Sequence, residues 1–110
     1  MSGEPSYIEL GVADVDAARA FYGPLLGWEP SGESGNGQVQ TPSLSIGMHS
    51  GDSRSLFEVF FAVDDLEASM ARVQELGGSV TSEVNDVPGF GRWCECEDDQ
   101  GTIFGLRQPA

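Results

Sequence analysis

Apolar and polar residues alternate along four short runs, at 7–12, 44–49, 57–63 and 102–107, with the period of half-buried β-strands. Two intervening stretches change period. Between Asp14 and Gly27, the residues Ala17, Ala18, Phe21 and Leu25 recur at helical spacing; between Asp64 and Gly78, Leu66, Met70, Val73 and Leu76 do the same. Asp14 can cap the first helix, and Asp64 or Asp65 the second. Counted from Asp64, Glu67 stands where it completes a capping box. The segment from Pro24 to Gly27 closes the first helix, and Gly77-Gly78 closes the second. Weaker strand signals fall near 28–30, 37–40, 79–84 and 92–97. Gly35, Gly37 and the run Pro88-Gly89-Phe90-Gly91 mark hairpin turns.

The two halves of this pattern match. Val12 aligns with Val63, Asp14 with Asp65, Ala17 with Ala68, and Gly27 falls near Gly78. Ile46-Gly47-Met48 likewise aligns with Phe104-Gly105-Leu106. One strand–helix–strand–strand–strand unit is therefore used twice, over about 5–50 and about 56–108, in a single domain spanning 1–110. This is an α+β chain.

Alternation also sorts the strand residues by face. One face collects Ile8, Leu10, Val12, Leu44, Ile46, Met48, Val59, Phe61, Val63, Phe104 and Leu106, and is expected to lie under the helices. The other collects Tyr7, Glu9, Gly11, Ser45, Gly47, His49, Glu58, Phe60, Ala62, Ile103, Gly105 and Arg107. A sheet with one dry and one mixed face is either solvated on the mixed side or curled around a ligand.

Composition narrows the function classes. The chain has 110 residues, 39% of them hydrophobic and 9% aromatic, which suits one packed domain. Five basic residues against eighteen acidic give a net charge of −13, which repels nucleic acid and anionic membranes. No apolar stretch reaches membrane-spanning length and residues 1–6 do not read as a signal peptide, so a cytoplasmic location is expected. Cys94 and Cys96 lie two apart on a strand, unsuited to a mutual disulfide, and read as small buried fillers of the helix-covered face.

Val12-Ala13-Asp14-Val15 through Phe21-Tyr22 with Leu26-Gly27-Trp28, Val63-Asp64-Asp65-Leu66 through Leu76-Gly77-Gly78, and the closing run from Asp98 to Leu106 carry a resemblance. Together they resemble the vicinal oxygen chelate superfamily, which includes glyoxalase I, extradiol dioxygenases, fosfomycin-resistance enzymes and bleomycin-resistance proteins. The resemblance covers nearly the whole chain. It implies two tandem βαβββ units forming a curled mixed sheet, an open cup with the helices on its outer face. It also implies a homodimer.

Metal-dependent members of that superfamily place His or Glu at four cup-facing positions, which fall here on Tyr7, Gly47, Glu58 and Gly105. Of these, only Glu58 is an ordinary ligand, since glycine offers no side-chain donor. The standard metal site is thus expected to be absent. A displaced divalent metal held by Glu9, His49 and Glu58 is the alternative, although a two-residue shift moves a side chain about 6–7 Å along a strand.

The candidate ligand-binding residues are Tyr7, Glu9, His49, Glu58, Phe60, Trp93 and Arg107, with Glu58 also the candidate catalytic base. Trp28 and Phe90 are further aromatic candidates, Phe90 in a glycine-flanked loop that suits a lid or an exposed turn. The expected function is binding of an aromatic or cationic small molecule without the standard metal, by sequestration as in bleomycin-resistance proteins. The alternative is a lyase, isomerase or dioxygenase using a displaced metal or Glu58.

Overall fold

The structure, a computed structural model, describes residues 3–30, 38–51 and 55–110. The turn signals at Gly35 and Gly37 lie outside these residues. The chain divides into two compact units, residues 7–58 and residues 59–110 together with the N-terminal 1–6.

The first unit contains β1 (Pro5–Gly11, of which the first two residues belong with the second unit), α1 (Val15–Leu26), β2 (Glu29–Pro30), β3 (Val39–Gln40) and β4 (Ser45–His49). Its sheet runs β2-β3-β4-β1, antiparallel across the first two pairings and parallel between β4 and β1. The second unit begins within β5 (Leu56–Ala62) and continues through α2 (Leu66–Glu75), β6 (Ser79–Val80), β7 (Asn85–Val87), β8 (Gly91–Glu97) and β9 (Ile103–Pro109). Its sheet order, β6-β8-β9-β5, repeats the first: two antiparallel pairings and then a parallel one. The short β7 is an addition, paired with β8 alone. In each unit the first strand meets the last in parallel, and the helix makes the crossover such a pairing requires.

Both helices start on an aspartate. Asp14 Oδ1 accepts from Ala17 N at 2.9 Å, and Asp65 Oδ1 accepts from Ala68 N at 3.1 Å. Because Asp65 takes the cap, Glu67 falls out of the capping-box position and pairs with Arg92 instead. Gly27, with φ 73°, ends α1 by donating to Gly23 O. Gly77, with φ 95°, donates to Gln74 O while Gly78 donates to Val73 O, the paired bonds of a Schellman ending.

The cores differ from the expected stripes. In α1, Ala18 is the buried residue, and it packs with Leu10, Val39, Ile46 and Met48, flanked by Ile8, Val12, Val15, Tyr22, Trp28 and Leu44. Phe21 and Leu25, expected inside, are each 63% exposed. The helix is rotated so that Ala18 and Tyr22 face the sheet, which turns the neighbouring stripe outward. In the second unit Val63, Leu66, Cys94, Cys96 and Leu106 form the core, with Met70 and Val73 against it. Leu76, counted in that stripe from spacing, sits at the helix end and is exposed. Cys94 and Cys96 are free thiols with no exposed surface, in contact at 3.9 Å, as expected for core fillers.

Candidate functional site

Alternation puts Tyr7 and Glu9 on the face of β1 opposite the residues that pack under α1. The parallel register of β1 and β4 then sets Glu9 against Gly47, and Gly11 against His49. Three of the sequence candidates meet here. Tyr7 Oη donates to Glu9 Oε1 at 2.6 Å, and His49 Nδ1 donates to Glu9 Oε2 at 2.5 Å. Glu9 is largely shielded and His49 is the more exposed partner, with 23% and 39% of their side chains accessible.

This arrangement depends on Gly47 having no side chain. A Cβ there would stand 1.8 Å from Tyr7 Oη and 2.5 Å from Glu9 Oε1. The phenol therefore occupies the space a side chain at position 47 would need. Glu58, in the same unit, is 5% exposed.

The second unit contains an equivalent socket. Phe60 on β5 is in register with Gly105 on β9, and a Cβ at 105 would stand 2.1 Å from Phe60 Cδ2. Trp93 on β8 meets the Phe60 ring edge-on, with centroids 5.5 Å apart. Arg107, one pleat beyond Gly105, is in register with Trp93. Its guanidinium donates from Nε and Nη2 to Phe90 O at 3.0 and 2.8 Å, and from Nη1 to Ser6 O and Oγ at 3.3 Å. It also lies 4.0 Å over the Phe90 ring. Phe90 follows a tight turn in which its N–H bonds to Val87 O, so this loop is clamped at several points.

The sequence candidates thus fall into two groups: Tyr7, Glu9, His49 and Glu58 in one unit, Phe60, Trp93 and Arg107 in the other. Trp28 is not among either group. It stacks on Tyr22 at 5.1 Å beside α1.

The residues present do not fit the superfamily's usual metal. Two of the four positions that the resemblance assigns to metal ligands are Gly47 and Gly105, which bring no side-chain donor, and the space above each is taken by an aromatic side chain of its own unit. Of the displaced set, Glu9 and His49 meet, but no three His, Cys, Asp or Glu side chains gather as a metal would need among the described residues. What the sequence did not reveal is that the bare positions are filled. The signal was available only in part, as two glycines placed identically in the two halves.

Known proteins share this architecture. The structure of methylmalonyl-CoA epimerase from Mycobacterium tuberculosis matches 97% of the chain and 88% of its own at 20% identity, with a TM-score of 0.71. Homoprotocatechuate 2,3-dioxygenase from Brevibacterium fuscum matches 99% of the chain and 38% of its own at 24% identity, also with a TM-score of 0.71. Both likenesses concern the fold. In sequence, the anthracycline biosynthesis protein DnrV of Streptomyces peucetius is 29% identical over 127 residues, covering 94% of this chain and 46% of its own. The chain spans less than half the length of the curated relatives it matches. No helix among the described residues is long and apolar enough to cross a membrane. The family model for the glyoxalase-like domain matches residues 7–106, and the chain belongs to that family.

Proposed function

We propose that this glyoxalase-like domain binds an aromatic or cationic small molecule without the superfamily's usual metal, and acts by sequestering it. The observation carrying this reading is the pair of filled sockets: rings lie over Gly47 and Gly105, where metal-dependent relatives place ligands. Aromatic surface replaces metal donors. In the first unit Glu9 and Glu58 supply acceptors for a polar or cationic group; in the second the half-buried Trp93, braced edge-on by the buried Phe60, supplies an aromatic face. The name of DnrV, an anthracycline biosynthesis protein, supports an aromatic ligand. We further propose a cytoplasmic homodimer, for which the exposed Phe21, Leu25 and Leu26 of α1 supply apolar surface.

The test is a thermal-shift screen of planar aromatic and aromatic-cation compounds, alongside metal analysis of protein purified without chelators. A true ligand at a hundred times its Kd stabilises the fold by about 2.7 kcal/mol. Phe60→Leu and Glu9→Gln should each reduce that shift. Stoichiometric zinc, iron, nickel or manganese that disappears in His49→Ala would overturn the metal-free reading.

A second reading has one observation in its favour. A histidine whose Nδ1 is held by a carboxylate is arranged as general bases are, so a metal-free isomerase or lyase using His49 or Glu58 is the alternative function. Turnover of a bound compound that is lost in His49→Ala or Glu58→Gln while binding persists would establish it.

A further inference from the structure

In β8, Cys94 and Cys96 lie in the core with Leu66 of α2, so alternation turns Trp93, Glu95 and Glu97 to the other face of the sheet. All three are half-buried. Elsewhere acids use their charge within the chain: Glu9 accepts from Tyr7 and His49, Glu67 pairs with Arg92, and Asp98 accepts from the backbone of its own turn. Among the described residues, none donates to the carboxylate of Glu95 or of Glu97. A half-buried carboxylate gives up hydration, a cost that a bound cation would offset.

The register of the second unit leaves Glu95 without a cross-strand partner. Directly across from it on β9 is Gly105, which has no side chain, and Phe60 on β5 lays its ring over that glycine. Opposite charges commonly face each other across such a pair; here a bare backbone and an apolar ring stand in that place. Arg107 lies one pleat along, across from Trp93, with its donors on Phe90 O and Ser6. The Glu95 backbone is pinned as well. Its N–H donates to Ser82 Oγ at 2.8 Å, and its carbonyl accepts from Thr81 N at 2.9 Å. The side chain thus leaves a strand held on both edges, the rigid footing that recognition needs.

Trp93 distinguishes the two acids. Alternate residues of a strand are about 6.5–7 Å apart, so a cation between Trp93 and Glu95 can lie within about 6 Å of the indole centroid while touching the carboxylate. Glu97, about 13 Å from Trp93 along the strand, cannot share it. An indole beside a carboxylate suits an alkylated ammonium ion, whose charge is spread over apolar groups that rest on the ring. The net charge of −13 draws such ions toward the chain.

We propose that Glu95 and Trp93 form a binding site for a small organic ammonium ion, its charge against the Glu95 carboxylate and its alkyl groups on the Trp93 indole. This site rests on the binding function proposed above and narrows it. Of aromatic and cationic guests it selects the cation, and it places that charge in the second unit rather than at Glu9 or Glu58.

The experiment is a nitrogen-15 NMR titration of the whole chain with choline and with benzyltrimethylammonium, following the Trp93 indole N–H. Neohexanol, the uncharged isostere of choline, and sodium chloride at matched ionic strength are the comparisons. Saturable shifts of Trp93 with both ammonium ions are expected, about tenfold weaker or more with the alcohol and absent with sodium chloride. The Trp28 indole should stay unmoved. Glu95→Gln should weaken ammonium binding by about tenfold. Glu97→Gln removes the same charge and should weaken it by less than about twofold. Trp93→Leu, read by calorimetry, should weaken it by about fivefold, and it serves if Glu95→Gln does not fold. Equal binding of choline and neohexanol would overturn the ammonium site while leaving the wider binding function standing with an uncharged guest. Equal losses in Glu95→Gln and Glu97→Gln would overturn it in favour of the chain's general field, and a loss in Glu9→Gln alone would move the charge to the first unit. No saturable shift with either ammonium ion would overturn it outright, whichever aromatic compound raises the melting temperature.

Discussion

The phenol of Tyr7 lies over the backbone of Gly47, with its Oη where the first side-chain carbon of any other residue would be. The hydroxyl is the closest atom, and the next ring atom, Cζ, would be 3.0 Å from that carbon. Gly47→Ala should therefore destabilise the fold by about 1–3 kcal/mol, the usual cost of overpacking. Tyr7→Phe removes the clashing oxygen. In urea unfolding the double variant should lose clearly less than the sum of the two single losses. Simple additivity would show that the ring does not occupy that socket.

The second socket behaves differently. At Gly105 the Phe60 ring carbons Cδ2, Cε2 and Cγ would lie 2.1, 2.4 and 2.6 Å from a new Cβ, so no single atom can be deleted to make room. Gly105→Ala is expected to cost at least as much as Gly47→Ala, about 1–3 kcal/mol or more. Phe60→Leu should relieve it in part, read from the same unfolding midpoints.

Two adjacent aspartates at the start of α2 have separate fates. Asp65 accepts from Ala68 N, so Asp65→Ala should cost about 1 kcal/mol. Asp64→Ala, at an exposed residue outside the cap, should change stability by less than about 0.5 kcal/mol. Thermal melts of the two variants decide between them.

Arg107 joins the 90-loop to Ser6 through four hydrogen bonds in a planar fork. Lysine preserves the charge but cannot reproduce the fork. Arg107→Lys should destabilise by about 1.5–3 kcal/mol and speed amide exchange at Phe90. Unchanged exchange there would show that the clamp is not what holds the loop.

Stability should fall in acid, in a direction set by two carboxylates. Backbone N–H groups of Thr102 and Gln100 bond to Asp98 and hold its carboxyl below the ordinary value; Arg92 does the same for Glu67 through a hydrogen bond. A pKa lower in the folded chain means the contribution is complete above the unfolded value and disappears as pH falls through the folded one. Melting temperature should therefore decline below about pH 4, the range where free carboxylates protonate. Asp98→Asn should flatten part of that decline. Added salt should weaken the exposed Glu67–Arg92 share but not the Asp98 share.

Much of the fold was legible because alternation and helical spacing are local. The four strong runs became β1, β4, β5 and β9 within a residue or two, and the repeat appears again as identical pairing order in the two units. Strand β7 escaped because Asn85-Asp86-Val87 has no alternation. It exists because the Pro88-Gly89 turn folds it onto β8. The outward turn of Phe21 and Leu25 was also unreadable, since spacing defines stripes on a helix without saying which stripe faces the sheet. At the site, face and register brought Tyr7, Glu9 and His49 together as alternation implied, but ring placement over Gly47 and Gly105 is a rotamer property.

The N-terminal segment has a consequence for how the chain is made. Gly3 N bonds to Ala62 O at 2.6 Å, Ala62 N bonds to Glu4 O at 2.8 Å, and Ser6 is held by Arg107, so residues 3–6 complete a unit whose remaining residues, 59–110, are synthesised after the whole of the other unit. Closure of that unit joins ends a hundred residues apart, a contact of high sequence separation and therefore a slow one. A half-protein starting at residue 59 would lack its own edge backbone, and supplying a peptide carrying residues 1–6 in trans should restore it.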